Sequence, residues 1–243
     1  MGGFFGVASK TDCRSDLYYG TDYHSHLGTC RGGMATVQDG AFSRVIHDIT
    51  NSQFRSKFED DLDGLEGRLG IGVISDYEDQ PLLINSHLGP FAIVTVGAVR
   101  NAEAIVRTAF RERVAHFSEM SHGEINPTEI VAMLIGREDS FEAGMRRVHD
   151  TVEGSCSILL LTPDALYAAR DAKGRTPVIL GRKDGARAAT LETCALPNLD
   201  YEIERELGPG EIVRLAPDGV ESISPPRDTL QICSFLWVYY GYP

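Results

Sequence analysis

An α+β domain built in layers is the architecture this sequence predicts, on three observations. Short apolar and β-branched segments open the chain, helical periodicity is grouped in its middle, and a second series of short strands closes it. Phe4 to Ala8, Met34 to Gln38, Gly70 to Ser75, Leu82 to Asn85 and Ala92 to Val96 read as the first strands. Asp16 to Gly28 and Asn101 to Phe117 read as helices. Ser140 precedes Phe141, Met145, Val148 and Val152, whose spacing makes one apolar helix face behind a capping serine. That stripe is core packing rather than a cofactor box. Cys156 to Leu161, Leu166 to Arg170, Val178 to Gly181 and Ala186 to Leu191 are expected to form a meander, with Lys183-Asp184-Gly185 supplying an Asp-Gly turn. Ser222 to Arg227, with Pro225-Pro226, reads as a connecting turn.

Composition narrows the class. At 243 residues and 42% hydrophobic, the chain can bury a large core as one domain. No apolar run approaches the roughly 20 residues of a membrane span. The start lacks the basic region and apolar stretch of a signal peptide, and Gly6 stands where a myristoylation signal needs Ser or Thr. A cytoplasmic location is therefore expected, with no membrane partner. A net charge of −12 argues against nucleic acid, whose binders carry a basic stripe. The five cysteines, Cys13, Cys30, Cys156, Cys194 and Cys233, lack paired zinc-type spacing and are expected to be reduced thiols. The histidines show no metal-ligand spacing, so neither metal nor cofactor is expected. The acidic run from Phe58 to Glu66 reads as a solvated loop or helix face.

The motifs carry more. The opening Met1-Gly2-Gly3-Phe4-Phe5-Gly6-Val7 is followed by Asp16-Leu17-Tyr18-Tyr19-Gly20, His26-x-Gly28 and Arg31-Gly32-Gly33-Met34-Ala35. Further on stand Arg170-Asp171-x-x-Gly174-x-x-Pro177-x-x-x-Gly181, Glu192-Thr193-Cys194-Ala195-Leu196 and Gly208-Pro209-Gly210-Glu211-Ile212-Val213. The chain closes on Cys233-Ser234-Phe235-Leu236-Trp237-Val238-Tyr239-Tyr240. Together these resemble, from end to end, the N-terminal-nucleophile (class II) glutamine amidotransferase domain of amidophosphoribosyltransferases. The resemblance implies a four-layer α/β/β/α sandwich, with residues 1–230 as the amidotransferase-like domain. Residues 231–243 would begin the junction to a phosphoribosyltransferase domain, a partner expected in cis or in trans, and the family implies a homo-oligomer.

The resemblance also implies that the chemistry has been removed. Gly2 stands where the family has its terminal cysteine nucleophile, and glycine offers an amine without a thiolate. Ser75 replaces the arginine that clamps the glutamine α-carboxylate, and Asp76 adds a negative charge. Val96 replaces the asparagine amide of the oxyanion hole beside the retained Gly97. Pro127 replaces the aspartate that holds the α-amine and suits a first helical turn instead. Gly2, Ser75, Asp76, Val96, Gly97 and Pro127 thus outline a former substrate pocket with no catalytic residue.

Cys13 lies inside the chain without a terminal amine and is expected to be a loop or helix-cap neighbour, not a substitute nucleophile. Cys233 aligns with an iron–sulfur ligand of some family members, but no cluster is expected. Three functions follow in order: a degenerate amidotransferase domain acting structurally or in regulation, a ligand-binding module reusing the pocket, and an active glutaminase with an unrecognised nucleophile. For the second, Ser75, Asp76 and Thr95 imply a pocket anionic on one side, suited to an amine or a neutral molecule. His26 is expected to be a structural hydrogen-bonder.

Overall fold

Alternating side chains along the central strands create two buried faces on each of two sheets. The structure, a computed structural model, describes residues 2–113, 117–118, 120–121 and 123–240. Chain order begins β1 (Gly3–Ser9), α1 (Arg14–Asp22), β2 (Arg31–Gln38), β3 (Ala41–Asp48), α2 (Phe54–Phe58), a 3-10 segment (Glu59–Gly64), β4 (Leu69–Ser75), β5 (Leu82–Ser86) and β6 (Gly89–Val99). It continues α3 (Ala102–Glu112), β7 (Met120–Ser121), β8 (Glu124–Ile125), α4 (Pro127–Ile135), α5 (Phe141–Thr151), β9 (Gly154–Leu161) and β10 (Leu166–Ala169). It ends β11 (Ile179–Lys183), β12 (Ala186–Thr190), α6 (Ala195–Asn198), β13 (Glu202–Glu206), β14 (Ile212–Ala216), β15 (Gly219–Ser224) and α7 (Ser234–Tyr240).

One sheet has the order β13-β11-β12-β1-β4-β2-β3 and the other β15-β14-β10-β9-β6-β5, all neighbours antiparallel. A small β7-β8 pair stands apart. Between the sheets, Phe4, Ile71 and Val73 meet Val94, Val96, Leu159 and Leu161 in one hydrophobic core. The next residues along the same strands face outward: Phe5 and Ile74 pack with Leu17 and Tyr18 of α1, and Ile93 and Leu160 pack with Ile130, Val131, Met145 and Val148 of α4 and α5. This period-2 division produces helix, sheet, sheet and helix layers. The predicted fold class is the one observed.

The capping serine behaves as expected, since Ser140 Oγ accepts from the Ala143 N–H at 3.1 Å at the start of α5. The acidic run forms the exposed 3-10 segment. Other expectations need correction. The predicted meander is two hairpins in different sheets: β9-β10 belongs to the six-stranded sheet and β11-β12 to the seven-stranded one. The chain changes sheet across residues 170–178, where Asp171 turns it by accepting from the Lys173 and Thr176 N–H groups at 3.1 and 2.9 Å. The first helix ends at Asp22, and tight turns through Leu27 take over from it. The helix predicted to reach Phe117 ends at Glu112, where Arg113 adopts a left-handed φ of 57°. Residues 114–116 of that expectation lie outside the described residues. Ser222 to Ser224 are still strand, so only the residues after them connect.

Candidate functional site

Gly2 lies buried at the start of β1, beside the end of β4, because the β1-β4 ladder brings Gly3 opposite Ile74. A Cβ built on Gly2 would sit 2.2 Å from the Ile74 carbonyl oxygen and 3.4 Å from Ser75 Cα. The first contact is with backbone in the middle of a sheet, which cannot swing aside. A larger residue there requires the strand start to move.

Ser75 is buried and its hydroxyl is fully engaged. Its Oγ donates to Glu78 Oε2 at 3.3 Å and accepts from the Tyr77 and Glu78 N–H groups at 3.3 and 3.1 Å, folding the chain into a turn. Glu78, which the sequence reading missed, is the acidic group that Ser75 hydrogen-bonds, and burial pushes its carboxyl above the ordinary range. Asp76 turns the other way, with Oδ1 accepting from the Thr29 N–H at 3.0 Å. Gln80 pins the turn to β6 through Oε1 to the Thr95 N–H at 2.7 Å and Nε2 to the Thr95 carbonyl at 3.2 Å.

Pro127 is the first residue of α4, where its missing N–H costs nothing. Its neighbour Asn126 caps the helix by accepting from the Thr128 N–H at 2.9 Å and donates to the Asp79 carbonyl at 3.1 Å. Thr128 meets Thr95 hydroxyl to hydroxyl at 2.6 Å. The 75–80 turn, β6 and the start of α4 are therefore one hydrogen-bonded unit. Gly97, next to Val96, has φ 151°, and a Cβ there would stand 2.1 Å from the Ser155 carbonyl oxygen, so glycine is required by close backbone approach.

Gly2, Val96 and Gly97 converge on one cavity of about 610 Å³, whereas Ser75, Asp76 and Pro127 do not line it. The rest of the wall was not foreseen: Arg100, Gly154, Ser155, Arg175 and Thr176 on one side, and Ile232, Cys233 and Leu236 of the C-terminal segment on another. The sequence implied a pocket anionic on one side at Ser75, Asp76 and Thr95, suited to an amine or a neutral molecule. Those three residues do not line this cavity, whose charged side chains among the described residues are Arg100 and Arg175. The missed signal was Arg175 within the Arg170-Asp171 hairpin motif, which places a cation two residues before Pro177.

Cys13 precedes α1, is buried, and burial pushes its thiol up. It packs beside Gly70, while Gly2 lies at the Ile74–Ser75 end of β4, so the two sites are roughly 17 Å apart by strand rise. Cys13 is therefore remote from the cavity. His26 Nε2 donates to Glu192 Oε1 at 3.1 Å, in keeping with a structural hydrogen-bonder. His24 is buried between the Gly20 carbonyl (2.8 Å) and Thr190 Oγ1 (3.0 Å). Among the described residues no group of three His, Cys, Asp or Glu is placed to hold a metal, and no helix is long and apolar enough to cross a membrane.

The sandwich of two antiparallel sheets between helical layers is the fold of class II glutamine amidotransferase domains. A glutamine phosphoribosylpyrophosphate amidotransferase from B. subtilis, complexed with ADP and GMP, superposes with a TM-score of 0.86 at 22% identity, over 99% of this chain and 53% of that one. A glutamine aminotransferase class-II domain protein from Silicibacter pomeroyi shares the fold at a TM-score of 0.59 and 12% identity, over 92% of this chain and 100% of that one.

In sequence, the chain is similar to amidophosphoribosyltransferases. It is 27% identical over 252 residues to amidophosphoribosyltransferase 2 of Arabidopsis thaliana, a chloroplastic protein, covering 99% of this chain and 44% of the relative. It is also 27% identical over 272 residues to the amidophosphoribosyltransferase of Methanocaldococcus jannaschii, covering 100% of this chain and 56% of the relative. The chain spans about half the length of the curated relatives it matches. No protein-family model matches it.

Proposed function

We propose that this chain is a glutamine amidotransferase-type domain of an amidophosphoribosyltransferase-like protein of de novo purine synthesis, unable to hydrolyse glutamine and acting as a structural or regulatory domain. The observation that carries the reading is Gly2, which supplies no nucleophile and has no room for one against the Ile74 carbonyl. Three further positions support it. Ser75, whose hydroxyl is spent on its own turn, stands in place of a carboxylate clamp. Val96 has no donor for an oxyanion, and Pro127 has no anion for an ammonium. With free ammonia as the nitrogen source, the domain's part would be to dock on a phosphoribosyltransferase domain, in cis or trans, and seal the ammonia path.

In this reading residues 1–230 form the amidotransferase-like domain and residues 231–243 begin the junction, within a homo-oligomer. The exposed apolar side chains of Ile232, Trp237 and Val238 support a docking role for that segment. In full-length protein, product formation from ammonia with none from glutamine is the expected result, and equal use of both nitrogen donors would sink the proposal.

A Gly2→Cys chain is expected to remain inactive on glutamine and to lose about 1–3 kcal/mol of stability, because its Cβ overpacks against β4. Denaturant melts beside a glutamate-release assay check both parts. A second reading, a ligand-binding module, is favoured by the arginine-lined cavity beside Gly2.

A further inference from the structure

The wall of the Gly2 cavity is chemically two-sided. Val96, Leu191, Ile232 and Leu236 are apolar, while Arg100, Arg175, Ser155 and Thr176 are donors, and no Asp or Glu lines it among the described residues. In a protein of net charge −12, an arginine pair without a facing carboxylate stands out as a local positive field.

The two guanidinium stems converge on Gly154. Arg175 Nη1 donates to the Gly154 carbonyl at 2.9 Å, and Arg100 Cγ lies 3.4 Å from where a Gly154 Cβ would be. The position of each arginine is built in. The Arg100 N–H donates to the Glu153 carbonyl at 2.7 Å, and Asn101 clamps the same stretch by donating to the Thr151 carbonyl at 2.8 Å and accepting from the Glu153 N–H at 2.9 Å. Arg175 is held through Nε and Nη2 to Gln231 Oε1 at 3.1 and 2.8 Å, and Gln231 is itself fixed by its N–H to the Lys173 carbonyl at 2.8 Å.

Of the five N–H groups of a guanidinium, Arg175 uses three, leaving two without a partner among the described residues. Among the described residues the Arg100 side chain has no hydrogen-bond or ion-pair partner. Free planar donors beside a hydroxyl pair suit an oxyanion, which arginine binds in a fork. The volume of about 610 Å³ fits an organic molecule rather than a bare ion.

We infer that this cavity is a binding site for a small organic oxyanion, a carboxylate or a phosphate monoester, held by Arg100 and Arg175 with its apolar part against Val96, Leu191 and Leu236. The inference goes beyond the loss of glutamine hydrolysis and does not depend on it, since the anion is held by Arg100 and Arg175, on neither of which that reading rests. Glutamine turnover by the chain would end the pseudoenzyme reading and leave this one standing.

The test is calorimetric titration of the 243-residue chain with phenyl phosphate and with benzoate, at ionic strength matched by chloride, beside neutral benzyl alcohol. Saturable binding of one or both anions and none of the alcohol is expected, and the stronger anion identifies the headgroup. Arg100→Gln, an exposed change that breaks no internal contact, should weaken that binding about tenfold or more. Arg175→Gln should do the same but also frees Gln231, so Arg100→Gln is the deciding variant. Absence of saturable anion binding, or binding undiminished by Arg100→Gln, overturns the inference.

Discussion

Acidification from pH 7 to pH 4 is expected to remove several kcal/mol of folding stability, through two buried histidines. His24 and His149 are both pushed down from 6.5 to about 4 by burial. His24 is neutral between a carbonyl and a threonine hydroxyl, and His149 Nε2 is buried with no partner for an added proton. Between the two values the unfolded chain binds more protons than the folded one, so stability is complete above about 6.5 and falls as pH drops towards 4. Each histidine contributes roughly 3 kcal/mol to that loss. Glu78 acts in the opposite sense, because its raised carboxyl takes up a proton more readily when folded, and it offsets a part. Urea melts across this range check the slope, and His149→Leu should reduce the loss by about half. A profile that stays flat to pH 4 would contradict the assignment of both rings as buried and neutral.

Phe4→Ala should destabilise the chain by about 3–5 kcal/mol, the largest single-residue effect anticipated here. Phe4 is fully buried between the two sheets, against Val94, Val96 and Leu159 of the opposing layer. Neither sheet can close the gap alone, because each is tied to its own helical layer on the far side. For a chain of this length the loss corresponds to a fall in Tm of about 10 °C. Tyr77→Ala, at a position 65% exposed, should stay within about 0.5 kcal/mol. Similar losses at the two positions would mean that the sheets are not packed face to face as described.

The central strands were legible because burial on both faces leaves an uninterrupted apolar run, as in Ser157-Ile158-Leu159-Leu160-Leu161. The edges were not. β3 carries Ser43, Arg44, His47 and Asp48, and β13 is Glu-Ile-Glu-Arg-Glu with every residue exposed. Edge strands answer to solvent on one side, and their polar composition hides them from a hydrophobic reading. The Asp39-Gly40 turn, with φ of 50° and 83°, was the available sign that β2 folds back into β3. Sheet membership of β11 and β12 was not local information at all. It depends on the hydrogen bonds of Asp171 and on Arg170, whose Nη2 reaches the Gly174 carbonyl at 2.6 Å.

The site divides in the same way. The motif positions Gly2, Val96 and Gly97 meet as a linear reading can anticipate, since each lies next to a recognisable strand. Arg100 follows Gly97 by three residues, but Arg175 and the 231–236 segment join them from two distant parts of the chain. Glu78 entered the neighbourhood through a short turn whose hydrogen bonds begin at Ser75. Such convergence is a property of tertiary packing and leaves no periodic trace.

The proposed loss of glutamine hydrolysis is tested by glutamate release from L-glutamine by the purified native chain. A rate indistinguishable from buffer is expected, for the native chain and for Gly2→Cys alike. Saturable glutamate release by the native chain would contradict it, and would place a working nucleophile somewhere other than Gly2.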